Sequence, residues 1–210
     1  MKDQIRTCKI CFKNIEKASF FFLGKREICI CDECADKFVP KYIEFNVKTY
    51  NALSIYVYDE TIKTYLYQLK GCYDIEIYQC FLERYCRELR LLYRNYIVIP
   101  VPSSEDDDKI RGFNHVEMIF SILKLPIYKV LHKNGNYKQA DHDAEGRKRI
   151  KQYLTIDKIP QLKGKKILIV DDVYTTGSTM RACVELVESL CPKQIKILVL
   201  SKTKSPRKDS

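Results

Sequence analysis

Buried strands and amphipathic helices alternate along most of the chain. Short segments made mostly of apolar residues, typical of strands covered on both faces, occur at Ile97–Val101, Ile167–Val170 and Ile195–Leu200. Segments with apolar residues at helical spacing accompany them, as in Glu60–Leu69 and Thr179–Leu190. This alternation predicts an α/β fold with a mostly parallel sheet and helices on both faces.

The remaining pattern is less regular but predicts further elements. The apolar residues of Ile75–Tyr96 keep helical spacing as far as Leu92, so we expect a continuous helix there. The acidic stretch Ser103–Asp108 predicts a solvated loop rather than a metal site, because nothing at fixed spacing completes a coordination shell. We also expect strands at Ser54–Tyr58 and Ile127–Val130 and a helix at Glu117–Lys124.

Length and composition narrow the class of protein. The 210 residues, 46% of them hydrophobic, suffice for one sizeable core or for a domain with a small appendage. No apolar run approaches the roughly 18 residues that a membrane helix needs. The polar start MKDQIRTCKIC lacks the apolar centre of a signal peptide, so we expect a cytoplasmic protein. The net charge of +10 attracts phosphate-bearing partners, although it leaves nucleotides, nucleic acid and simple solubility all open.

Five of the ten cysteines cluster near the N-terminus, which favours a metal site over disulfides in a reducing compartment. Cys8 and Cys11 form one C-x2-C pair and Cys31 and Cys34 form another, separated by the 19 residues 12–30. Four thiolates at this spacing predict a closed, tetrahedral zinc site of the structural type. Cys29 is an alternative to Cys31, but it would create an unusual C-x4-C pair.

The cysteine pattern divides the chain into a four-cysteine zinc-binding module, residues 1–40, and a larger domain, residues 41–210. A unit as small as the first buries too little surface to be stable without a metal. The other cysteines have apolar neighbours, and we expect all of them in the core: Cys72, Cys80, Cys86, Cys183 and Cys191.

A buried strand, two acids and a turn of small residues follow one another in LIVDDVYTTGSTM, residues 168–180. Asp171 and Asp172 come at the carboxyl end of the strand, where open α/β sheets bind their ligands. Adjacent carboxylates repel one another unless hydroxyl groups, a cation or a metal receives them, and ribose hydroxyls are suitable donors. The turn Thr175–Thr179 offers backbone N–H groups and hydroxyls at the start of the next helix, which suits a phosphate. The segment therefore predicts a sugar-phosphate site.

This segment resembles the phosphoribosyl-diphosphate motif of type I phosphoribosyltransferases. More narrowly, the chain resembles the ComF (ComFC) family of competence proteins over nearly its whole length. The stretches that carry the resemblance are the two cysteine pairs, Tyr65–Gly71 (YLYQLKG), Pro100–Ser103 (PVPS), Arg111–Asn114 (RGFN), Gln139 with Arg147 and Arg149, and Ile167–Thr179. The resemblance implies a type I phosphoribosyltransferase-like fold for residues 41–210, beside a zinc-finger or ribbon module.

The resemblance also implies roles for individual residues. Asp171 and Asp172 would be the catalytic pair that contacts the ribose hydroxyls, and the 5-phosphate would be bound by Thr175, Thr176, Gly177, Ser178 and Thr179. The residues near the diphosphate would be Pro102, Ser103, Arg111 and Lys70. The residues of a hood loop over the site, or of a DNA contact, would be Gln139, Arg147 and Arg149. Mg²⁺ would arrive with phosphoribosyl diphosphate, and Zn²⁺ would be structural.

Two positions depart from the family's pattern, and several functions fit it. The family often has Gln where this chain has His115, and Asn where it has Ile150; we interpret His115 as a helix-surface or packing residue. The first functional hypothesis is a ComF-like factor in DNA uptake that binds single-stranded DNA or a helicase. The second is a phosphoribosyltransferase of nucleobase salvage. The third is a regulator that senses the ligand.

Overall fold

The computed structural model describes residues 6–15, 29–133 and 153–204. Within these ranges the strands are β1 (Arg6–Thr7), β2 (Asn14–Ile15), β3 (Ile43–Val47), β4 (Tyr50–Val57), β5 (Tyr96–Pro100), β6 (Leu131–Lys133), β7 (Leu154–Ile156), β8 (Lys166–Tyr174) and β9 (Gln194–Lys202). The α-helices are α1 (Asp32–Ala35), α2 (Glu60–Gly71), α3 (Cys86–Leu92), α4 (Glu105–Arg111), α5 (His115–Ser121) and α6 (Ser178–Glu188). Two 3-10 helices cover Ile75–Phe81 and Pro160–Leu162.

Five of these strands form the central sheet, in the spatial order β3-β4-β9-β8-β5. Strands β4, β9, β8 and β5 are parallel to one another, and β3 is an antiparallel edge strand paired with β4. The carboxyl ends of all four parallel strands lie on the same edge of the sheet. Residues that follow β4, β5 and β8 therefore converge at that edge, where such sheets bind ligands.

Two hydrophobic clusters cover the two faces of the sheet. On one face, residues of α2, α3 and α5 pack with the N-terminal Phe38 against Leu168 and Val170 of β8. On the other face, α6 and the β6–β7 hairpin pack against Ile167 and Ile169. Both faces are thus buried, which explains the runs of Ile, Val and Leu in the inner strands β8 and β9. The predicted α/β class, with a mostly parallel sheet and helices on both faces, is confirmed.

Residues 75–96 do not form the continuous helix that their spacing predicts. A 3-10 helix begins at Ile75, capped by the side chain of Asp74, and α3 follows only from Cys86. Leu92, expected on the buried face, is 54% exposed at the end of α3. The two pieces nevertheless bury most of the predicted apolar residues, namely Ile77, Phe81, Leu82 and Leu89. Apolar periodicity does not distinguish a long helix from two short ones that bury the same side chains.

Two further predictions about local structure are wrong. The acidic stretch Ser103–Asp108 is not a solvated loop, because most of it forms the helix α4. Only Ile127 of the predicted strand Ile127–Val130 pairs with the sheet, through a parallel bridge to Val98, and the next strand begins at Leu131. Short apolar runs followed by charged residues leave strand boundaries poorly defined in sequence.

The cysteines outside the N-terminal cluster divide into two groups. Cys80, Cys86 and Cys183 are buried as expected, whereas Cys72 and Cys191 are exposed. Four positions named in the sequence analysis lie outside the described residues, namely Gln139, Arg147, Arg149 and Ile150. In the part of the chain that is described, no helix has the length and apolar character that crossing a membrane requires.

Candidate ligand-binding site

Asp171 and Asp172 lie near the carboxyl end of β8, but their surroundings differ. Asp172 is only 6% exposed, and its Oδ2 forms an ion pair with the Nζ of Lys70, which comes from the last turn of α2. Asp171 is more accessible, and its Oδ1 accepts a hydrogen bond from the Asp172 N–H at 2.9 Å. Asp171 is therefore the carboxyl group that can face a ligand, while the protein itself fixes Asp172.

The two carboxyl groups have opposite pKa shifts. Burial and the neighbouring charge of Asp172 raise the pKa of Asp171 well above its usual value. Burial also acts to raise the pKa of Asp172, but the Lys70 charge and a hydrogen bond from His115 hold it well below its usual range. Lys70 and His115 therefore favour the ionised form of Asp172, and the charge of Asp172 disfavours ionisation of the adjacent Asp171.

His115 belongs to this site, so its interpretation as a packing or helix-surface residue is incomplete. It is 5% exposed; its Nε2 lies 3.2 Å from Asp172 Oδ2 and its Nδ1 lies 2.9 Å from Arg111 Nη1. Because a guanidinium can only donate, Nδ1 accepts, and the ring proton is on Nε2, facing Asp172. Burial lowers the pKa of His115, so the neutral ring donates to Asp172 at neutral pH.

A polar network connects this group to the loop after β5. Asp108 accepts hydrogen bonds from Ser103 Oγ at 2.6 Å and from Arg111 Nη1 at 3.0 Å. Asn114 Nδ2 donates to Ser103 Oγ at 2.8 Å and to Asp108 Oδ2 at 2.9 Å. Arg111 Nε donates to the carbonyl of Lys70 at 3.4 Å. The PVPS, RGFN and YLYQLKG stretches therefore meet in one network, and the partners of Asp108 explain why the acidic run is ordered.

The turn between β8 and α6 brings its backbone close to the site. Gly177 caps α6 with a φ of +74°, a conformation that favours glycine. The Tyr174 ring lies over Gly177, so a Cβ there would collide with the Tyr174 hydroxyl. Thr175 and Thr176 are exposed, and the Thr176 and Ser178 hydroxyls are 3.1 Å apart. These hydroxyls and the N–H groups at the start of a helix of 11 residues suit a phosphate.

A cavity of about 170 Å³ beside the β5 loop adds basic residues that no motif indicates. Pro102 and Ser103 line it together with Lys129, His132 and Lys133. The resemblance implies the diphosphate in this place, and the ammonium groups of Lys129 and Lys133 would complement its charge, with Lys129 also paired to Glu117 at 2.7 Å. Isolated Lys and His residues carry no sequence signal, because only the fold brings them to the ends of these strands.

For His115 the sequence signal is stronger, because the family's Gln at the same place also offers both a hydrogen-bond donor and an acceptor.

The N-terminal cysteines form a separate cluster. The sulfurs of Cys8, Cys11, Cys31 and Cys34 all lie within 4.8 Å of one another, with Cys11 and Cys31 3.6 Å apart. A tetrahedral zinc ion with Zn–S bonds of about 2.3 Å requires sulfurs about 3.8 Å apart, so the donor set fits this metal. Burial acts to raise the pKa of Cys8, but N–H groups from the knuckle backbone lower it to about 6, which favours the thiolate.

Cys29, the alternative ligand, lies outside this cluster. Its sulfur donates to the buried Glu83 carboxylate at 2.8 Å and lies 3.7 Å from the Cys80 sulfur. Its side chain therefore links the N-terminal unit to the 3-10 helix beside α2 rather than to the other four cysteines. The structure brings together Cys31 with Cys8, Cys11 and Cys34, in the arrangement that the C-x2-C spacing favours.

Comparison with known proteins agrees with these features. A family model described as "Phosphoribosyl transferase domain" matches residues 124–210, which contain β8 and α6. The competence protein ComFC of Bacillus subtilis (strain 168) is 27% identical over 129 residues, which cover 60% of this chain and 53% of that protein. ComFC of Streptococcus pneumoniae (strain ATCC BAA-255 / R6) is 23% identical over 224 aligned positions, covering 92% of this chain and 98% of that protein. This chain thus spans about half the length of the first relative and nearly all of the second.

Solved structures similar to this chain match it at low sequence identity. A hypoxanthine-guanine phosphoribosyltransferase from Bacillus anthracis has 16% identity and a TM-score of 0.43, covering 65% of this chain and 75% of that one. The Streptococcus pneumoniae ComFC match covers 92% of this chain, and the family model covers the strand and turn that carry the two aspartates. The chain is thus similar to ComFC competence proteins, and its C-terminal part matches the phosphoribosyl transferase domain.

Proposed function

We propose that this protein binds phosphoribosyl diphosphate at the carboxyl end of β8. The observation that carries the proposal is the arrangement of Asp171 beside an ionised Asp172, directly before the Gly177 turn at the start of α6. Asp171 would receive the ribose hydroxyls, and the turn from Thr175 to Thr179 would bind the 5-phosphate. The β5 loop and the basic residues of its cavity would accept the diphosphate.

Two metals accompany this proposal. Mg²⁺ would be held mainly by the ligand's own diphosphate, because Lys70 already neutralises Asp172 and the pair forms no free carboxylate cage. Zn²⁺ would be held by the four clustered cysteines, with no open coordination position, so its contribution would be to folding rather than to chemistry.

The biological role that we propose is in DNA uptake during natural transformation, through contact with single-stranded DNA or with a helicase. The competence proteins to which the chain is similar support this role. The net charge of +10 and the cysteine unit also support it, since basic surfaces bind phosphate backbones. Lys70 and Arg111 of the ligand site are occupied by internal partners, so a DNA contact would use further charges.

Binding to single-stranded DNA at several salt concentrations tests this role. We expect affinity that falls steeply as salt rises, because binding releases counterions from the phosphates. Transformation assays in a deletion strain provide the second readout, with reduced uptake expected. Absence of binding at low salt together with normal uptake in the deletion strain would contradict the proposed role.

The second candidate is a phosphoribosyltransferase that transfers the ribosyl phosphate to a nucleobase. The complete strand, acid pair and phosphate turn support it, because these are the elements that such transfer requires. Incubation with Mg²⁺, phosphoribosyl diphosphate and a panel of bases, followed by a diphosphate assay, tests it. Binding of phosphoribosyl diphosphate without diphosphate release on any base would reject the transferase and retain the binding site.

A further inference from the structure

The α3 groove, a depression of about 440 Å³, lies beside the end of α3 on the face of the sheet that carries this helix. Its lining includes Glu44 and Asn46 of β3, Leu53 of β4 and Lys196 of β9, with Leu92 of α3 as one wall. The middle of the sheet is buried on both faces, whereas Glu44 and Asn46 are exposed at this corner. The groove is therefore a part of the sheet surface that a partner can reach.

Two adjacent leucines are exposed where α3 ends. Leu92 lines the α3 groove and is 54% exposed, and Leu91 beside it is 63% exposed. The apolar spacing that begins at Ile75 extends to Leu92, yet the helix ends at this residue before the side chain is covered. Neighbouring exposed apolar residues at the side of a depression are typical of surfaces that another molecule covers.

A strip of positive charge borders the groove along the amino ends of β5, β8 and β9. Tyr96, Lys166 and Gln194 occupy matching positions on these strands, and the N–H of Lys193 donates to the carbonyl of Lys165 at 2.8 Å. The stretches 93–97, 162–167 and 192–197 contain no acidic residue. They contribute six cations, which form the basic strip: Arg94, Lys163, Lys165, Lys166, Lys193 and Lys196. Because Lys196 also lines the groove, the basic strip and the groove are continuous.

The charges and the leucines together favour one kind of occupant. A second copy of this chain that docked through the same face would bring its own basic strip against the first, and like charges repel. A nucleic-acid backbone would be attracted by the strip, but Glu44 would repel its phosphates, and Leu91 and Leu92 offer them no partner. A protein segment with acidic residues beside an apolar face complements both the strip and the leucines.

We propose that the α3 groove and the basic strip form a docking site for an acidic, amphipathic segment of a partner protein. Apolar side chains of the segment would pack on Leu91 and Leu92, and its carboxylates would face Lys193 and Lys196. Lys196 is near the amino end of β9, whereas Asp171 is near the carboxyl end of β8. Docking would therefore leave the ligand site accessible, whatever binds there.

Selection of short peptides displayed on phage, with the full chain as the target, tests this docking site. We expect enriched peptides that combine Asp or Glu with Leu, Ile or Phe. The strongest binder is then synthesised, and fluorescence anisotropy measures its affinity for wild type, Leu92→Ser, Lys193→Glu and Val39→Ser. Val39→Ser is the matched control, because Val39 is also 54% exposed but does not line the groove. Circular dichroism checks that every variant folds.

Leu92→Ser and Lys193→Glu should each weaken peptide binding at least about fivefold, because the first removes an apolar contact and the second reverses a charge of the strip. Val39→Ser should bind within about twofold of wild type. The affinity of the wild type should fall as salt rises, because salt screens the attraction between carboxylates and exposed cations. Failure to enrich acidic, apolar peptides would overturn the docking site, as would a binder with equal affinity for wild type, Leu92→Ser and Lys193→Glu.

Two further ligands, measured on the same proteins, separate the remaining explanations. If Lys193→Glu weakens binding of a single-stranded oligonucleotide and no selected peptide depends on Leu92, the strip is a nucleic-acid site and peptide docking is rejected. Mg²⁺–phosphoribosyl diphosphate should bind equally to wild type and Leu92→Ser, because Leu92 is remote from Asp171. Absence of this ligand's binding to wild type would reject the proposed function and leave the result on docking unchanged.

Discussion

Replacing His115 tests the polar network that holds Asp172. The ring is buried and satisfies two groups at once, since Nε2 faces Asp172 Oδ2 at 3.2 Å and Nδ1 accepts from Arg111 at 2.9 Å. The variant His115→Leu keeps similar bulk and leaves one Arg111 N–H without its acceptor, whereas Asp172 Oδ2 loses one donor and keeps its ion pair with Lys70. A buried unsatisfied group costs about 1–3 kcal/mol, so the free energy of unfolding should fall by about 1–3 kcal/mol.

The variant His115→Gln is the matched control. Its amide can accept from Arg111 and donate to Asp172, so we expect a loss below about 1.5 kcal/mol. Urea unfolding followed by circular dichroism measures both variants against wild type, and titration with Mg²⁺–phosphoribosyl diphosphate shows whether Asp172 still supports the site. A Leu variant as stable as wild type, or a Gln variant as damaged as the Leu variant, would refute the tautomer and the network inferred here.

Further predictions concern the metal, the phosphate turn and pH. Elemental analysis should find less bound zinc in Cys34→Ser than in wild type, and this variant should unfold at a lower temperature. Cys29→Ser should keep its zinc, because Cys29 lies outside the four-cysteine cluster. Equal metal content in the two variants would exclude the four-cysteine site. Gly177→Ala should weaken phosphoribosyl-diphosphate binding at least tenfold, because a Cβ there collides with Tyr174 and a φ of +74° disfavours alanine; unchanged affinity would exclude the turn as the phosphate site. Because burial lowers the folded pKa of His115, the unfolded chain takes up a proton below about pH 6.5 that the folded chain does not. The free energy of unfolding of the wild type should therefore fall as pH drops below about 6.5, by up to about 1.4 kcal/mol per pH unit. It should fall more steeply than that of His115→Gln. Parallel curves of unfolding free energy against pH for the two proteins would contradict this.

Continuous apolar runs and local motifs made much of the architecture predictable. Strands β5, β8 and β9 each contain a run of at least three consecutive apolar residues, and within each C-x2-C pair one tight turn brings the two cysteines together. The Asp171–Thr179 segment is contiguous, so its arrangement as strand, acids, turn and helix follows from local chemistry. None of these features depends on distant partners.

The features that escaped prediction depend on tertiary contacts. The stretch around Asp108 looks like solvated acid in sequence, and only its hydrogen bonds with Ser103, Arg111 and Asn114 show why it is ordered. His115 has no ligand-like spacing, because its partners come from α4 and β8. The break between the 3-10 helix and α3 preserves the burial of the same apolar residues, so periodicity alone does not reveal it.

The central claim is that Asp171 and the turn before α6 bind the ribose and phosphate of phosphoribosyl diphosphate. Isothermal titration of the wild type and of Asp171→Asn with this ligand and Mg²⁺ tests the claim most directly, with ribose 5-phosphate as a second ligand. We expect saturable binding to the wild type, weaker binding of ribose 5-phosphate because it lacks the diphosphate, and at least tenfold weaker binding to the variant. Equal affinity of wild type and variant for phosphoribosyl diphosphate, or no binding to either, would contradict the claim.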